Sequence, residues 1–237
     1  MEPDSHLLVS GPPEVRRRYI DWGMFHVEQG FLADWRNYSR ALKQRNAALR
    51  RGEAELLDSL DTVVAEQGER LGAQRRRHAE ALAERINSLM DDIGERFGPI
   101  ELRYQDGWSS ETLLASLQEH RQRDLDRGQT SSGPHRADLA LLSNAQAARV
   151  RLSRGEQKAL AAALLLTQAE ILAQSGTRPL LLLDDLVSEF DEQHFQAVLA
   201  RACASGAQLW LTGTQRPQLP PDHRVFHVEQ GQVTELV

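Results

Sequence analysis

Residues 179–191 read PLLLLDDLVSEFD, and this stretch decides the fold. Leu180 to Leu183 form a short apolar run of the kind that makes a buried β-strand. Asp184 and Asp185 emerge at its C-terminal end, where open α/β sheets bind their ligands. One carboxylate there suits Mg2+, held directly or through water, and the next suits orientation of an attacking water. Two adjacent acids beside one metal are costly without the cation. The same residues also fit a strand running into an acidic, solvated turn.

Upstream, LSRGEQK at 152–158 opens a helix. Ser153 is a natural N-cap, and Glu156 three residues on completes a capping box. Gly155 leaves the backbone bare where another molecule can approach. The free N–H groups and partial positive charge of a helix N-terminus suit an anion. An ordinary well-capped helix carries the same spacing. The helix is expected to run to Gly176. RADLALLS before it is predicted as a strand, EQHFQAVLARACASG after it as a helix, and AQLWLTGT as a further apolar strand. VFHVEQGQVTELV closes the chain as a hairpin around Gln230-Gly231. Apolar strands alternating with helices predict a parallel sheet covered on both faces.

The first half has another grammar. SHLLVSG is a short apolar stretch closing on Gly11-Pro12-Pro13. Phe31, Trp35, Tyr38, Leu42 and Leu49 recur mostly at steps of three or four, giving one helical stripe that Gly52 stops. In residues 53–97, Leu56, Leu60, Val63 and Val64 lead a second helical region. Leu82, Ile86, Leu89, Ile93 and Phe97 then repeat as a near-heptad seam. Between them RLGAQRRRHAE has no apolar stripe and predicts a bend or a solvated mid-section. A helix over this whole region would span about 65 Å at ~1.5 Å per residue, which predicts an arm or a helical hairpin. IELRYQDGW is predicted as a strand ending at Gly107, SSETLLASLQEHRQRDLDRG as one amphipathic helix, and GQTSSGP at 128–134 as a linker. FHVEQG occurs twice, at 25–30 and 226–231, without a repeat period, and is taken as coincidence.

Composition bounds the function classes. With 41% hydrophobic and 26% charged residues over 237 positions, the chain has the make-up of a globular protein. A net charge of −6 means that nucleic acid would be met by local basic patches and not by the overall field. Arg16, Arg17 and Arg18 form one such cluster, and Arg75, Arg76 and Arg77 another. The second also fits a solvated helix face paired with Glu66, Glu69, Glu80 and Glu84. His135 and Arg136 either approach a nucleotide or start a strand. Trp22, Trp35, Trp108 and Trp210 are expected in the core or at an interface. The single cysteine, Cys203, excludes an internal disulfide framework. No apolar run reaches the ~18 residues of a membrane span, and MEPDSHLL lacks the plan of a secretory signal. The expected location is the cytoplasm. Lys43 and Lys158 are the only lysines and neither follows glycine, so the chain contains no Gly-Lys-[Ser/Thr] phosphate loop.

Together the motifs follow the order of an ABC-type ATPase head. LSRGEQK resembles the ABC signature, LLLLDD the Walker B strand, SEFD the D-loop, and LWLTGT ends where a switch strand should. Within that superfamily the details resemble the RecF family. PPEVRRRYIDW with W-x-x-Y-x-R-A-L-x-Q-R-N at 35–46 resembles the start of its helical arm, and TSSGPHRADL at 130–139 the return to its head. An Asp-Asp pair also suits this family.

The resemblance implies an α/β fold: the C-terminal part of an ABC-type head, mostly parallel sheet with helices, plus an α-helical, coiled-coil arm. Residues 1–11 would end a head segment that precedes the chain, 12–130 form the arm, and 131–237 form the C-terminal half of the head. Ser153, Arg154, Gly155, Glu156 and Gln157 would contact, in trans, ATP held by a partner subunit. Asp184 would support Mg2+, Asp185 would polarise the attacking water, and Ser188 and Asp191 would sit at a dimer seam. Thr212 or Thr214 would sense the γ-phosphate; Gly213 stands where other ABC heads carry histidine. The implied protein is a slow, DNA-dependent ATPase and ATP-driven homodimeric clamp on single-stranded and gapped DNA. It would work with the recombination mediator RecR in recombinase loading, repair, replication and the SOS response. Lacking the phosphate loop, this chain alone is expected to be an inactive fragment. The alternatives are a head of the SMC or Rad50 class and a non-catalytic helical interaction module.

Overall fold

The computed structural model describes residues 3–93, 98–219, 221 and 223–236. A short 3-10 turn leads into helix α1 (Leu7–Ser10), then α2 (Pro13–Val27) and α3 (Phe31–Arg51). Pro13 suits a first helical turn, where its missing N–H goes unneeded. Gly52 adopts φ 69 and ends α3 in a left-handed cap, its N–H donating to Ala48 and Leu49 carbonyls, as its position after the stripe predicts.

Helix α4 (Leu57–Ile93) is unbroken over 37 residues, about 55 Å at ~1.5 Å per residue. The expected bend or solvated mid-section is absent. Gly68, Leu71, Gly72, Gln74, Arg75, His78 and Ala79 are all buried there. The apolar stripe is missing because small residues admit neighbours instead. At Gly68 a Cβ would lie 2.5 Å from Leu113 Cδ2, and at Gly72 it would lie 3.0 Å from Trp108 Cη2. The downstream seam is as expected: Leu82, Ile86, Leu89 and Ile93 are at most 1% exposed. Phe97, its last predicted member, lies outside the described residues.

After α4 comes strand β1 (Ile100–Gln105), then α5 (Leu113–Glu119) and α6 (Arg121–Arg127). The single amphipathic helix predicted here divides at His120, whose backbone leaves helical geometry at φ −93, ψ 4. Strand β2 (Asp138–Ser143) pairs antiparallel with β1, Leu102 opposite Leu141, and with the short β3 (Gln146–Ala147). Helices α7 (Ala148–Arg151) and α8 (Arg154–Gln174) follow, then β4 (Leu180–Leu183), α9 (Leu186–Glu189), α10 (Glu192–Ala204) and β5 (Gln208–Leu211). The parallel pairing lies between β4 and β5, with Leu182 opposite Trp210. β6 (Val225–Glu229) and β7 (Gln232–Leu236) form the terminal hairpin. Its turn has φ 46 at Gln230 and φ 80 at Gly231, the positive pair that tight hairpins favour.

The centre of the molecule is α8, whose residues Ala159 to Leu164 are buried on nearly every side. It packs on α4, α1, α2 and α10. The Tyr19 hydroxyl of α2 donates to the Leu164 carbonyl at 2.6 Å. One continuous apolar cluster runs from Leu8 through α4 and α8 to Ala202, each fully buried Leu or Ile contributing about 1.5–3 kcal/mol. Packing is therefore continuous across residue 131.

The leucine strand departs from expectation. Leu183 is buried, but Leu180 is 53% and Leu182 58% exposed, and Trp210 beside them is 56% exposed. Side chains alternate across a strand, so only one face of β4–β5 meets α-helices among the described residues.

Candidate functional site

The two aspartates stand where the motif puts them, at the C-terminal end of β4. Parallel pairing with β5 carries Thr212 alongside, and its N–H donates to the Leu183 carbonyl at 3.0 Å. The Thr212 hydroxyl donates to Asp184 Oδ1 at 2.5 Å and accepts the Asp185 N–H at 3.1 Å. Asp185 takes the left-handed region at φ 48 and starts α9, a conformation that aspartate tolerates better than most residues. Ser188, one turn on, lies with Oγ 2.6 Å from Asp185 Oδ2 and 2.9 Å from its carbonyl oxygen. Asp185 Oδ1 is buried and has no protein partner among the described residues.

That orphaned acceptor beside a second carboxylate and two hydroxyls is an oxygen-rich donor set suited to a hard cation. No group of three or more His, Cys, Asp or Glu able to hold a metal occurs among the described residues. The donor set fits Mg2+, which takes one or two carboxylates and fills its other positions from water and phosphate.

Asp191 caps α10, accepting the His194 N–H at 2.9 Å and meeting His194 Nδ1 at 2.7 Å. These bonds hold its carboxyl below the usual range. Thr212, Gly213 and Thr214 are exposed together at the end of β5.

At the start of α8 the capping box is complete. Ser153 Oγ accepts the Glu156 N–H at 3.4 Å, and Glu156 Oε2 accepts the Ser153 N–H at 2.6 Å. Ser153, Arg154 and Gly155 are exposed, and a Cβ at Gly155 would meet nothing within 4 Å. Gln157 departs from the expected ligand set. Its side chain turns inward, donating to the Leu152 carbonyl at 2.8 Å and the Arg149 carbonyl at 3.2 Å, and so braces the turn before the helix. Arg149 and Arg151 flank the same end, and both are exposed. Sequence reasoning missed these two, which lie outside the signature motif. It also missed an ion pair between Lys158 of α8 and Glu189 of α9, which ties the capped helix to the aspartate turn. Only the fold brings that pair together.

The arginine clusters are divided by burial. Arg16 is 7% exposed and grips Asp138 with Nε at 2.7 Å and Nη2 at 3.0 Å. Arg75 is 3% exposed and holds Asp21 with two bonds of 2.7 Å. Burial lowers the Arg75 pKa, but the Asp21 carboxylate outweighs it and leaves it raised. These two arginines thus face inward, which corrects their expected contact with DNA phosphates. Arg17 donates to the Ala137 carbonyl, Arg76 pairs with Asp106, and Arg18 and Arg77 are exposed. The partners of Arg75 and Arg76 are thus aspartates remote in sequence, not the glutamates of their own helix. His135 is held between Tyr38 and Thr130, and Arg136 is exposed. Of the tryptophans, only Trp108 is half-buried; Trp22, Trp35 and Trp210 are 39% exposed or more.

No family model matches the chain. The DNA replication and repair protein RecF of Xanthomonas euvesicatoria pv. vesicatoria (strain 85-10) is 44% identical over 241 residues, covering 98% of this chain. RecF of Stenotrophomonas maltophilia (strain R551-3) is 45% identical over 243 residues, covering 99%. The chain belongs to the RecF family. It spans 66% of the length of both relatives. A solved structure described as the recombination mediator protein RecF with ATP in the RecFOR pathway matches it with a TM-score of 0.86. The identity is 26%, and the match covers all of this chain and 66% of the other. A second, described as RecF-ATPrS in the RecFOR pathway, matches at 0.83. The mixed α/β fold of this chain is therefore that of the matching part of RecF.

Proposed function

We propose that this chain is the signature-bearing part of a RecF-type ATPase that acts in DNA repair, replication and recombination. The observation that carries the reading is the pairing of an open, capped helix terminus with the Asp184-Asp185-Ser188-Thr212 cluster, tied together by Lys158 and Glu189. Ser153, the bare backbone at Gly155 and the exposed Arg154 offer donors to the terminal phosphate of ATP held by a partner copy. Arg149 and Arg151 add positive charge beside them. Asp184 would hold Mg2+, which when bound supplies charge neutralisation between the phosphates. Asp185 orients the attacking water through its unpartnered Oδ1. Thr212 couples both carboxylates to β5, so that it or Thr214 reports the γ-phosphate.

In the complete protein, residues 12–130 form an arm and 131–237 half of a head that further polypeptide completes, covering Leu180, Leu182 and Trp210. ATP then holds two copies together as a clamp on single-stranded and gapped DNA, and slow hydrolysis releases it. Exposed Arg18, Arg76 and Arg77, with Arg17, remain available to DNA phosphates. RecR is the partner in recombinase loading, in a cytoplasmic pathway that includes the SOS response. Ser153→Arg in a full-length protein is the test. ATP-driven dimerisation, followed by light scattering, is lost while ATP binding persists; unchanged dimerisation removes the signature assignment. The isolated chain does not bind Mg-ATP at micromolar concentration.

A further inference from the structure

A cavity of about 590 Å3 opens where the end of β1, the α5–α6 junction and the 131–132 loop meet. Its lining includes Asp106, Trp108, His120, Arg123, Ser131 and Ser132, and it shares no residue with the carboxylate cluster. That volume falls within the ~300–1,000 Å3 usual for small-molecule sites.

The walls are fixed before any ligand arrives. Gly107 adopts φ +89, and a Cβ there would lie 2.4 Å from the Gly133 carbonyl oxygen. The Gly107 carbonyl accepts the Gly133 N–H at 3.0 Å, welding the end of β1 to the return loop. The Ser131 N–H donates to Asp124 Oδ1 at 3.0 Å. Ser132 Oγ meets Ser116 Oγ at 3.0 Å and His120 Nδ1 at 3.3 Å. The ring of Trp108 is backed by Gly72 of α4.

One charged group in this wall is unused. Arg123 is exposed and forms no ion pair among the described residues. An aromatic ring and a free guanidinium around one cavity match a planar base linked to a phosphate. We propose that this cavity binds one phosphate-bearing nucleotide, its base against Trp108 and its phosphate on Arg123. The nucleotide is either free or one unit of a single strand.

The test is calorimetric titration of the 237-residue chain with thymidine, thymidine 5′-monophosphate and a short oligothymidylate. Arg123→Glu is compared with Arg127→Glu, which makes the same charge change on α6 outside the cavity. The monophosphate or the oligonucleotide binds saturably, thymidine does not, and Arg123→Glu weakens binding about tenfold while Arg127→Glu has little effect. Tighter binding of the oligonucleotide with the same Arg123 dependence identifies a strand; equal binding of the monophosphate identifies a free nucleotide. No binding by either, or equal losses from the two variants, overturns the proposal. Neither result bears on ATP-driven dimerisation, which the Ser153 test reads separately.

Discussion

The Tyr38 hydroxyl donates to His135 Nδ1 at 2.7 Å, while His135 Nε2 donates to the Thr130 carbonyl at 3.0 Å. A carbonyl can only accept, so Nε2 carries a proton, and with the pKa lowered by burial the ring is neutral above about pH 4 and Nδ1 accepts from Tyr38. This one histidine joins α3 to the loop that returns to β2. Burial, ahead of the smaller effects of Thr130, Arg136 and Arg17, pushes its pKa down from 6.5 to about 4. Once unfolded, the ring takes a proton as pH falls through 6.5; folded, it resists until about 4. Its contribution to stability is therefore full above about pH 6.5 and declines on acidification. Near pH 4 about 3 kcal/mol has been lost. His78, lowered by burial, acts in the same direction. Urea denaturation at pH 7.5 and pH 5 is expected to give a smaller difference for His135→Gln than for the parent chain. Equal differences would rule this histidine out as a source of acid sensitivity.

Arg45 is wholly buried with two carboxylates. Its Nε meets Asp61 Oδ1 at 2.6 Å, and its Nη1 meets Asp124 Oδ2 at 2.8 Å and Thr130 Oγ1 at 2.9 Å. The planar fork of arginine reaches α4, α6 and the return loop at once, a geometry lysine cannot copy. Arg45→Met leaves buried Asp124 without a cation and Asp61 with only Arg121, at 2.7 Å, and is expected to cost about 3–5 kcal/mol in chemical denaturation. Adding Asp124→Asn recovers part of that loss, because the uncompensated charge is gone. A cost for Arg45→Met below about 1 kcal/mol would mean that water replaces the guanidinium.

The Lys158–Glu189 pair is partly buried, its side chains 29% and 18% exposed. Solvent screening limits such a pair to about 1 kcal/mol. The expected consequence is local: in Lys158→Met, amide exchange at 186–189 speeds up several-fold while that of α4 is unchanged. Exchange at α9 identical to the parent would show that the aspartate turn holds itself without α8.

Local features were legible in the sequence because they depend on neighbours a few residues apart. Ser153 and Glu156 cap α8 across three positions, Gly52 ends α3 by its own φ, and Gln230-Gly231 turns the hairpin by theirs. The leucine run with its two aspartates was equally local, and it located the carboxylate cluster. Tertiary structure decided the rest. FHVEQG ends a helix at 25–30 and forms one side of a hairpin at 226–231; six residues are too few to outweigh the surroundings that each copy packs against. The middle of α4 lacks an apolar stripe yet is buried, because Gly68 and Gly72 admit Leu113 and Trp108 from elements more than thirty residues away. Arg75 and Arg16 resemble surface charges in the sequence, and only the approach of Asp21 and Asp138 makes their burial tolerable. Spacing along the chain determined where helices begin and where the acids stand. Which side chains are inside, and which faces remain open, was determined by contacts between residues distant in sequence, whose free energy no local pattern contains.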